Sequence, residues 1–195
     1  MKNTHFCVYG AASDLIDPHY LAVGEQLGHA LAEADCGLVF GGGASGMMGA
    51  VARGVRAKNG YIVGVAPSFF NVDGVLYPHC DELIYTETMR ERKQIMEDRA
   101  DSFIVTPGGI GTFEELFEIL SLLQLGRIAK PLAFLNIRDY FQGIERLLDH
   151  AIAEGFMQAS CKQLYRFFRE DEIPEMLAYL RAGLESPHRI HRPFP

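Results

Sequence analysis

A guanidinium, a carboxylate and a run of glycines are the groups in this chain best suited to chemistry on a phosphorylated ligand. The glycines lie in Thr106-Pro107-Gly108-Gly109-Ile110-Gly111-Thr112-Phe113-Glu114-Glu115, between an apolar run at 102–105 and a strongly apolar helical pattern at 112–125. This reads as a strand, a tight turn and a helix start. Glycines allow the backbone to approach a ligand closely. The first N–H groups of the helix lack intrahelical partners and sit at the positive end of its dipole, which favours a phosphate. No Lys follows the last glycine, so a Walker-type triphosphate loop is not indicated. The same letters admit a structural reading. Thr112-x-x-Glu115 matches a capping box, which would occupy both side chains without any chemistry.

The guanidinium is Arg92. On a helix, Met89, Arg92, Lys93 and Met96 share one face, and Glu91, Gln94 and Asp98 the opposite, solvated one. An inward Arg needs a bound phosphate or a core carboxylate, unless it snorkels out to water. Glu115 lies just past the glycine turn, where a ligand would sit. One carboxylate and one guanidinium beside a sugar phosphate could support cleavage of an N-glycosidic bond, whose transition state resembles an oxocarbenium ion.

Gly41-x-Gly43-x-x-Gly46 matches the dinucleotide fingerprint by letters but follows the second strand, not the first. The next strand, at 61–67, ends without an acid to hold a ribose. A nicotinamide cofactor is therefore not expected. Amides of Gly42 and Gly43 offered to a mononucleotide, or close helix–strand packing, are the remaining readings. Ser13 and Ser45, in small-residue loops, are hydrogen-bond candidates or plain turn formers. The seven His residues have no ligand spacing, and neither a metal nor a cofactor is expected.

These groups must be held by a scaffold, and the pattern is alternating. Strands are expected at 6–9, 37–40, 61–66, 82–85, 102–105 and 131–135, with an edge strand at 165–168. Helices are expected from Pro18 to about Ala34, from the second glycine loop to about Lys58 (closed by Asn59-Gly60), and at 89–100, 112–125, 140–154 and 172–182. Residues 68–80 read as a loop. This predicts an α/β, Rossmann-like three-layer fold: a parallel sheet with helices on both faces and ligands at the carboxyl ends of the strands. One domain is expected over 1–182, and a loosely ordered tail over 183–195.

Composition narrows the partners. The chain has 195 residues, enough for one sizeable core, and 48% are apolar, as in ordinary globular domains. A net charge of −7 with no block of Lys or Arg argues against nucleic acid and anionic membranes. Four scattered cysteines without a CxxC pair, no long apolar run and no leader-like start point to a cytoplasmic protein with free thiols. The helix at 112–125 is apolar nearly all round, which suggests a homodimer with one side of it on the sheet and the other on a partner.

Pro107 to Glu115 fits PGGxGTxxE, Met89 to Lys93 fits MxxRK, and Gly41 to Gly49 is similar to GGGxxGLMG. Together with Gln124-Leu125-Gly126, Lys130-Pro131 and Glu154-Gly155-Phe156, they make the chain resemble the Lonely Guy family of cytokinin riboside 5′-monophosphate phosphoribohydrolases over residues 4–182. The resemblance implies a Rossmann-like fold, usually a homodimer, and hydrolysis of a purine riboside monophosphate to free base and ribose 5-phosphate. It puts the family's catalytic Arg and Glu on Arg92 and Glu115. Its nucleotide-binding positions fall on Lys93 and on Gly108, Gly109, Ile110, Gly111, Thr112, Phe113 and Glu114. A broader AMP nucleosidase and a non-catalytic nucleotide or cofactor carrier are the alternatives. The family's frequent label of lysine decarboxylase has no support here, because no lysine sits in a pyridoxal phosphate motif. Two departures stand out. Leu122 occupies a position where the family commonly has Trp, and Gly10-Ala11-Ala12-Ser13 has an Ala where the family tends to have another Ser. The first bears on packing or the base-side pocket, the second on one hydrogen bond.

Overall fold

The computed structural model describes residues 4–186. Within them, β1 (Thr4–Tyr9), β2 (Cys36–Phe40), β3 (Ile62–Pro67), β4 (Glu82–Thr86), β5 (Ser102–Val105), β6 (Leu132–Leu135) and β7 (Tyr165–Phe168) form one sheet. Its order is β4-β3-β2-β1-β5-β6-β7 and every pairing is parallel. The helices are α1 (Pro18–Glu33), α2 (Gly46–Ala57), α3 (Met89–Arg99), α4 (Ile110–Gln124), α5 (Gln142–Ala153) and α6 (Ile173–Glu185).

The strands are apolar on both faces because both faces are covered. Phe6 and Val8 of β1 point into a core shared with Val23, Leu27 and Leu31 of α1, Met47 and Val51 of α2, and Met176 and Leu180 of α6. Cys7 and Tyr9, the alternate residues, point into a second core with Met96 of α3, Leu116, Ile119 and Leu123 of α4, and Leu148 of α5. This is the Rossmann-like α/β fold expected from the alternating pattern. Strand order reverses at β1, so the chain leaves β1 and its neighbour β5 in diverging directions. A crevice opens there at the carboxyl ends of the strands.

Local chemistry sets the helix ends. Asp17 caps α1, its carboxylate accepting from the His19 amide at 2.8 Å, with Pro18 in the first turn. Asn59 takes a left-handed φ of 57° after α2, as the Asn59-Gly60 signal predicts. At α3 the Thr88 hydroxyl accepts from the Glu91 amide at 3.2 Å, while the Glu91 carboxylate accepts from the Thr88 amide at 3.2 Å. That reciprocal pair is the capping box of this region. The one read at Thr112 and Glu115 does not exist. Helix α4 begins two residues earlier than expected, with Gly109 at its N-cap and no side chain capping it. Thr112 therefore lies within the first turn and Glu115 in the second, out of reach of the cap.

Other boundaries shift modestly. Helix α5 starts at Gln142 because a 3-10 turn, Ile137–Asp139, precedes it, with Arg138 at φ 49° and Asp139 at φ 56°. The 68–80 loop contains a 3-10 turn at Ser68–Phe70, and Leu76 pairs with Gly43 in an isolated antiparallel bridge. Helix α6 runs through Glu185, three residues into the stretch read as a tail. The rest of that tail from residue 187, with His188 and His191, lies outside the described residues.

Helices α1 and α2 approach backbone to backbone. A Cβ on Gly28 would overlap the Val51 carbonyl oxygen and crowd the Val55 nitrogen and Gly54 Cα, backbone atoms that cannot yield as a flexible side chain can. Gly28→Ala should therefore destabilise the chain by about 1–3 kcal/mol, as overpacking does. The urea midpoint should fall with the m-value unchanged.

Candidate active site

The crevice between the loops after β1 and β5 is a cavity of about 570 Å³, within the range of small-molecule sites. Its lining includes Gly10 to Ser13 after β1, Gly41, Gly43 and Ser45 after β2, Arg92 of α3, and Gly109, Gly111, Thr112, Glu114 and Glu115. Apolar side chains complete it: Met48, Phe70, Val75, Leu76 and Met89.

Arg92 points inward, as its helical face predicts, and finds a carboxylate. Its Nη1 donates to Glu115 Oε1 at 2.8 Å, and its Nε donates to the Val65 carbonyl at 3.1 Å. Both side chains are buried, at 7% and 9% exposure, yet both touch the cavity. The pair is thus the core ion pair that the sequence left as one option, placed where a ligand would meet it. Gly41 makes room for it: a Cβ there would overlap Arg92 Nη2. Burial pushes the Glu115 carboxyl above the usual carboxylate range, and the Arg92 guanidinium opposes part of that shift.

The two glycine-rich loops differ. At α2 the N-terminal Gly46 amide already donates to Asp14 Oδ1 at 2.8 Å. That bond, then the Ser45 hydroxyl, holds the Asp14 carboxyl below its ordinary range. The end of α2 thus has an internal anion, and Gly46, at φ +60°, sits where its Cβ would overlap the Ala11 carbonyl region. Here the fingerprint glycine serves close packing. At α4 no side chain caps the helix, and a Cβ on Gly109 or Gly111 would meet open space. This helix end is open to an anion, and it faces the cavity.

Of the other sequence candidates, Thr112, Glu114, Gly43, Ser13 and Met89 line the cavity. Ser13 also accepts from the Leu15 amide at 3.1 Å. Gly108, Ile110, Phe113, Gly42 and Lys93 do not line it. Lys93 is clasped by Glu114 and, at 2.9 Å, by Glu118. Ile110 is exposed, Phe113 is half-buried, and Gly42 has φ +77°. Leu122 packs at the edge of the second core and is not a cavity residue, so the missing Trp bears on packing. Sequence reasoning missed Met48, on α2 just past the fingerprint glycines, and Phe70, Val75 and Leu76, which long-range backbone contacts bring to the site: the Leu76–Gly43 bridge and the Ala44 amide donating to the Val75 carbonyl at 2.9 Å.

Residues 48–179 match a family model described as possible lysine decarboxylase. The chain is 36% identical over 89% of its length, and 75% of the relative's, to the probable cytokinin riboside 5′-monophosphate phosphoribohydrolase LOG4 of Oryza sativa subsp. japonica. It is 40% identical to the cytokinin riboside 5′-monophosphate phosphoribohydrolase of Mycobacterium tuberculosis, over 80% of this chain and 83% of that one. The fold is similar to that of the molybdenum cofactor binding protein from Rippkaea orientalis, with a TM-score of 0.69 at 21% identity over 91% of this chain and 97% of that one.

Arg92→Ala tests the pair through pH. With the guanidinium gone, burial acts on Glu115 unopposed and its folded pKa climbs further above the ordinary glutamate value of 4.5. A raised folded pKa means that stability is fully present below the unfolded pKa and is lost as pH rises through the folded one. The variant should fall behind the parent by roughly 3–5 kcal/mol at neutral pH, and the gap should narrow toward pH 4.5. Melting temperatures of both proteins across that range check it.

Proposed function

Because the chain belongs to the Lonely Guy family of phosphoribohydrolases, we propose that it hydrolyses the N-glycosidic bond of a purine riboside 5′-monophosphate, releasing free base and ribose 5-phosphate. The observation that carries this reading is the Arg92–Glu115 pair lining a nucleotide-sized cavity beside an uncapped helix N-terminus. The phosphate sits on the first amides of α4, near Thr112. Met48, Phe70, Val75, Leu76 and Met89 give the base, and an apolar N6 substituent of the cytokinin type, an apolar wall. Glu115, with the Arg92 guanidinium favouring its charged form, faces the ribose and stabilises the positive charge that develops as the C1′–N9 bond breaks. Water then supplies hydroxide to C1′ and a proton to the departing base.

Decarboxylation of lysine fits this site poorly. Pyridoxal phosphate chemistry needs a Schiff-base lysine, and none of the residues lining the cavity is Lys. The four cysteines are free thiols, which suits a cytoplasmic setting. Among the described residues, no helix is long and apolar enough to cross a membrane. We also infer a homodimer. Outside its buried stripe, α4 leaves Ile110 86%, Phe117 37% and Leu125, its C-cap, 52% exposed, and a second copy would cover them.

Incubation with AMP and with N6-isopentenyladenosine monophosphate, followed by chromatography of the released base, tests the activity. Base release is expected, faster from the N6-substituted nucleotide. Equal rates would make the protein a broader AMP nucleosidase, and tight binding without release would make it a carrier and overturn the proposal. Sedimentation should give twice the chain mass, and a concentration-independent monomer would refute the dimer.

A further inference from the structure

Behind the glycine loop lies a contact that the proposed reaction does not yet use. The Tyr140 hydroxyl donates to the Gly108 carbonyl at 2.6 Å, and neither residue lines the cavity. On the neighbouring peptide, the Pro107 carbonyl accepts from the Ala11 amide at 3.0 Å. The next carbonyl, of Gly109, accepts from Phe113 at 3.0 Å inside α4. Three consecutive carbonyls are thus each tied down, and Tyr140 holds the middle one.

The consequence follows from peptide geometry. Among the described residues all peptide bonds are trans, and in a trans peptide the C=O and the next N–H point in opposite directions. Fixing the Gly108 carbonyl toward Tyr140 aims the Gly109 N–H the other way. Gly109 lines the cavity and Tyr140 does not, so that direction is the ligand side. Glycine loops are soft, and an amide that must meet a phosphate needs something to hold its plane.

Tyr140 is itself held. It follows Arg138 and Asp139, two non-glycine residues in succession at left-handed φ of 49° and 56°. Such backbone persists only where its surroundings impose it. Here Arg138 Nη1 donates to Asp17 Oδ2 at 2.8 Å, and the Arg138 guanidinium lies 5.9 Å from the Tyr20 ring. Tyr20 in turn meets the Tyr140 ring edge-on at 6.3 Å, and the Asn136 side chain accepts from the Phe141 amide at 2.8 Å. Partial burial pushes the Tyr140 phenol above its ordinary pKa, which favours the protonated, donating form.

We propose that Tyr140 is a positioning residue for the phosphate site, orienting the Gly109 amide toward the ligand through the Gly108 carbonyl, with the strained 136–140 turn as its brace. This rests on the reading of the α4 N-terminus as the place where the substrate phosphate binds.

Tyr140→Phe removes one hydroxyl and keeps the ring. In the full chain, KM for AMP and the inhibition constant of inorganic phosphate should both rise roughly three- to tenfold, the value of one well-made hydrogen bond, while kcat changes less than threefold. Arg138→Ala, which loosens the brace and leaves the hydroxyl, should move both constants the same way by less. A purely structural tyrosine would lower the melting temperature and leave both constants alone, and that result overturns the proposal, as does a loss confined to kcat. If the parent releases no base from either AMP or N6-isopentenyladenosine monophosphate, the hydrolase reading fails by itself. Calorimetric titration of phosphate and AMP into parent and Tyr140→Phe then decides the role of Tyr140 independently, with equal affinities counting against it.

Discussion

The site depends on one costly interaction, the ion pair of Arg92 and Glu115 taken almost wholly out of water. Two buried charges lose several kcal/mol of hydration each, and attraction offsets this only with good geometry and further hydrogen bonds. The fold supplies them. The guanidinium also bonds the Val65 carbonyl at the end of β3, and the absent side chain of Gly41 lets it lie against the loop after β2. Strand β3, the loop after β2 and two helices thus converge on one salt bridge. A hydrophobic pair of similar volume would have stabilised the same contact more simply. That the pair is charged, and borders a cavity, is what argues for a role beyond stability.

The second constraint is the use of two similar loops for different ends. Both glycine-rich segments follow a strand and open a helix at the same crevice. Asp14 fills one helix end with the protein's own carboxylate, while the other is capped by nothing but Gly109. Of these two helix ends, that of α4 is the one that no side chain caps. Just ahead of it, the Pro107 and Gly108 carbonyls accept from the Ala11 amide and the Tyr140 hydroxyl.

Much of this was legible in the residues. The alternation of apolar runs and helical patterns gave the layers and six helices, and the spacing of Met89, Arg92 and Met96 placed Arg92 inward. That Arg92 and Glu115 meet at one crevice was legible from the inward face of one and the place of the other past the glycine turn, but their direct pairing was not, because local pattern says nothing of contacts 23 residues apart in sequence. The capping box was read at the wrong helix. Thr112 and Glu115 have the right spacing, but a glycine at 109 lets the helix start earlier, while Thr88 and Glu91 have the same spacing and do cap. Phe70, Val75 and Leu76 in the cavity wall were missed because residues 68–80 carry loop letters, and long-range backbone contacts with Gly43 and Ala44 bring them over the site. Nor does any sequence rule foresee left-handed backbone at Arg138 and Asp139.

The central claim is that Glu115 is there for its charge. Glu115→Gln keeps the shape and a hydrogen-bond acceptor for Arg92 but cannot carry the negative charge that meets an oxocarbenium ion. The decisive measurement is kcat on a nucleoside monophosphate for this variant beside its nucleotide affinity and melting temperature. In Glu115→Gln, kcat should fall by about 10²–10⁴ while the nucleotide still binds and the protein still melts cooperatively near the parent temperature. A folded variant that binds nucleotide and turns it over at the parent rate would contradict it, leaving Glu115 as no more than the structural partner of Arg92.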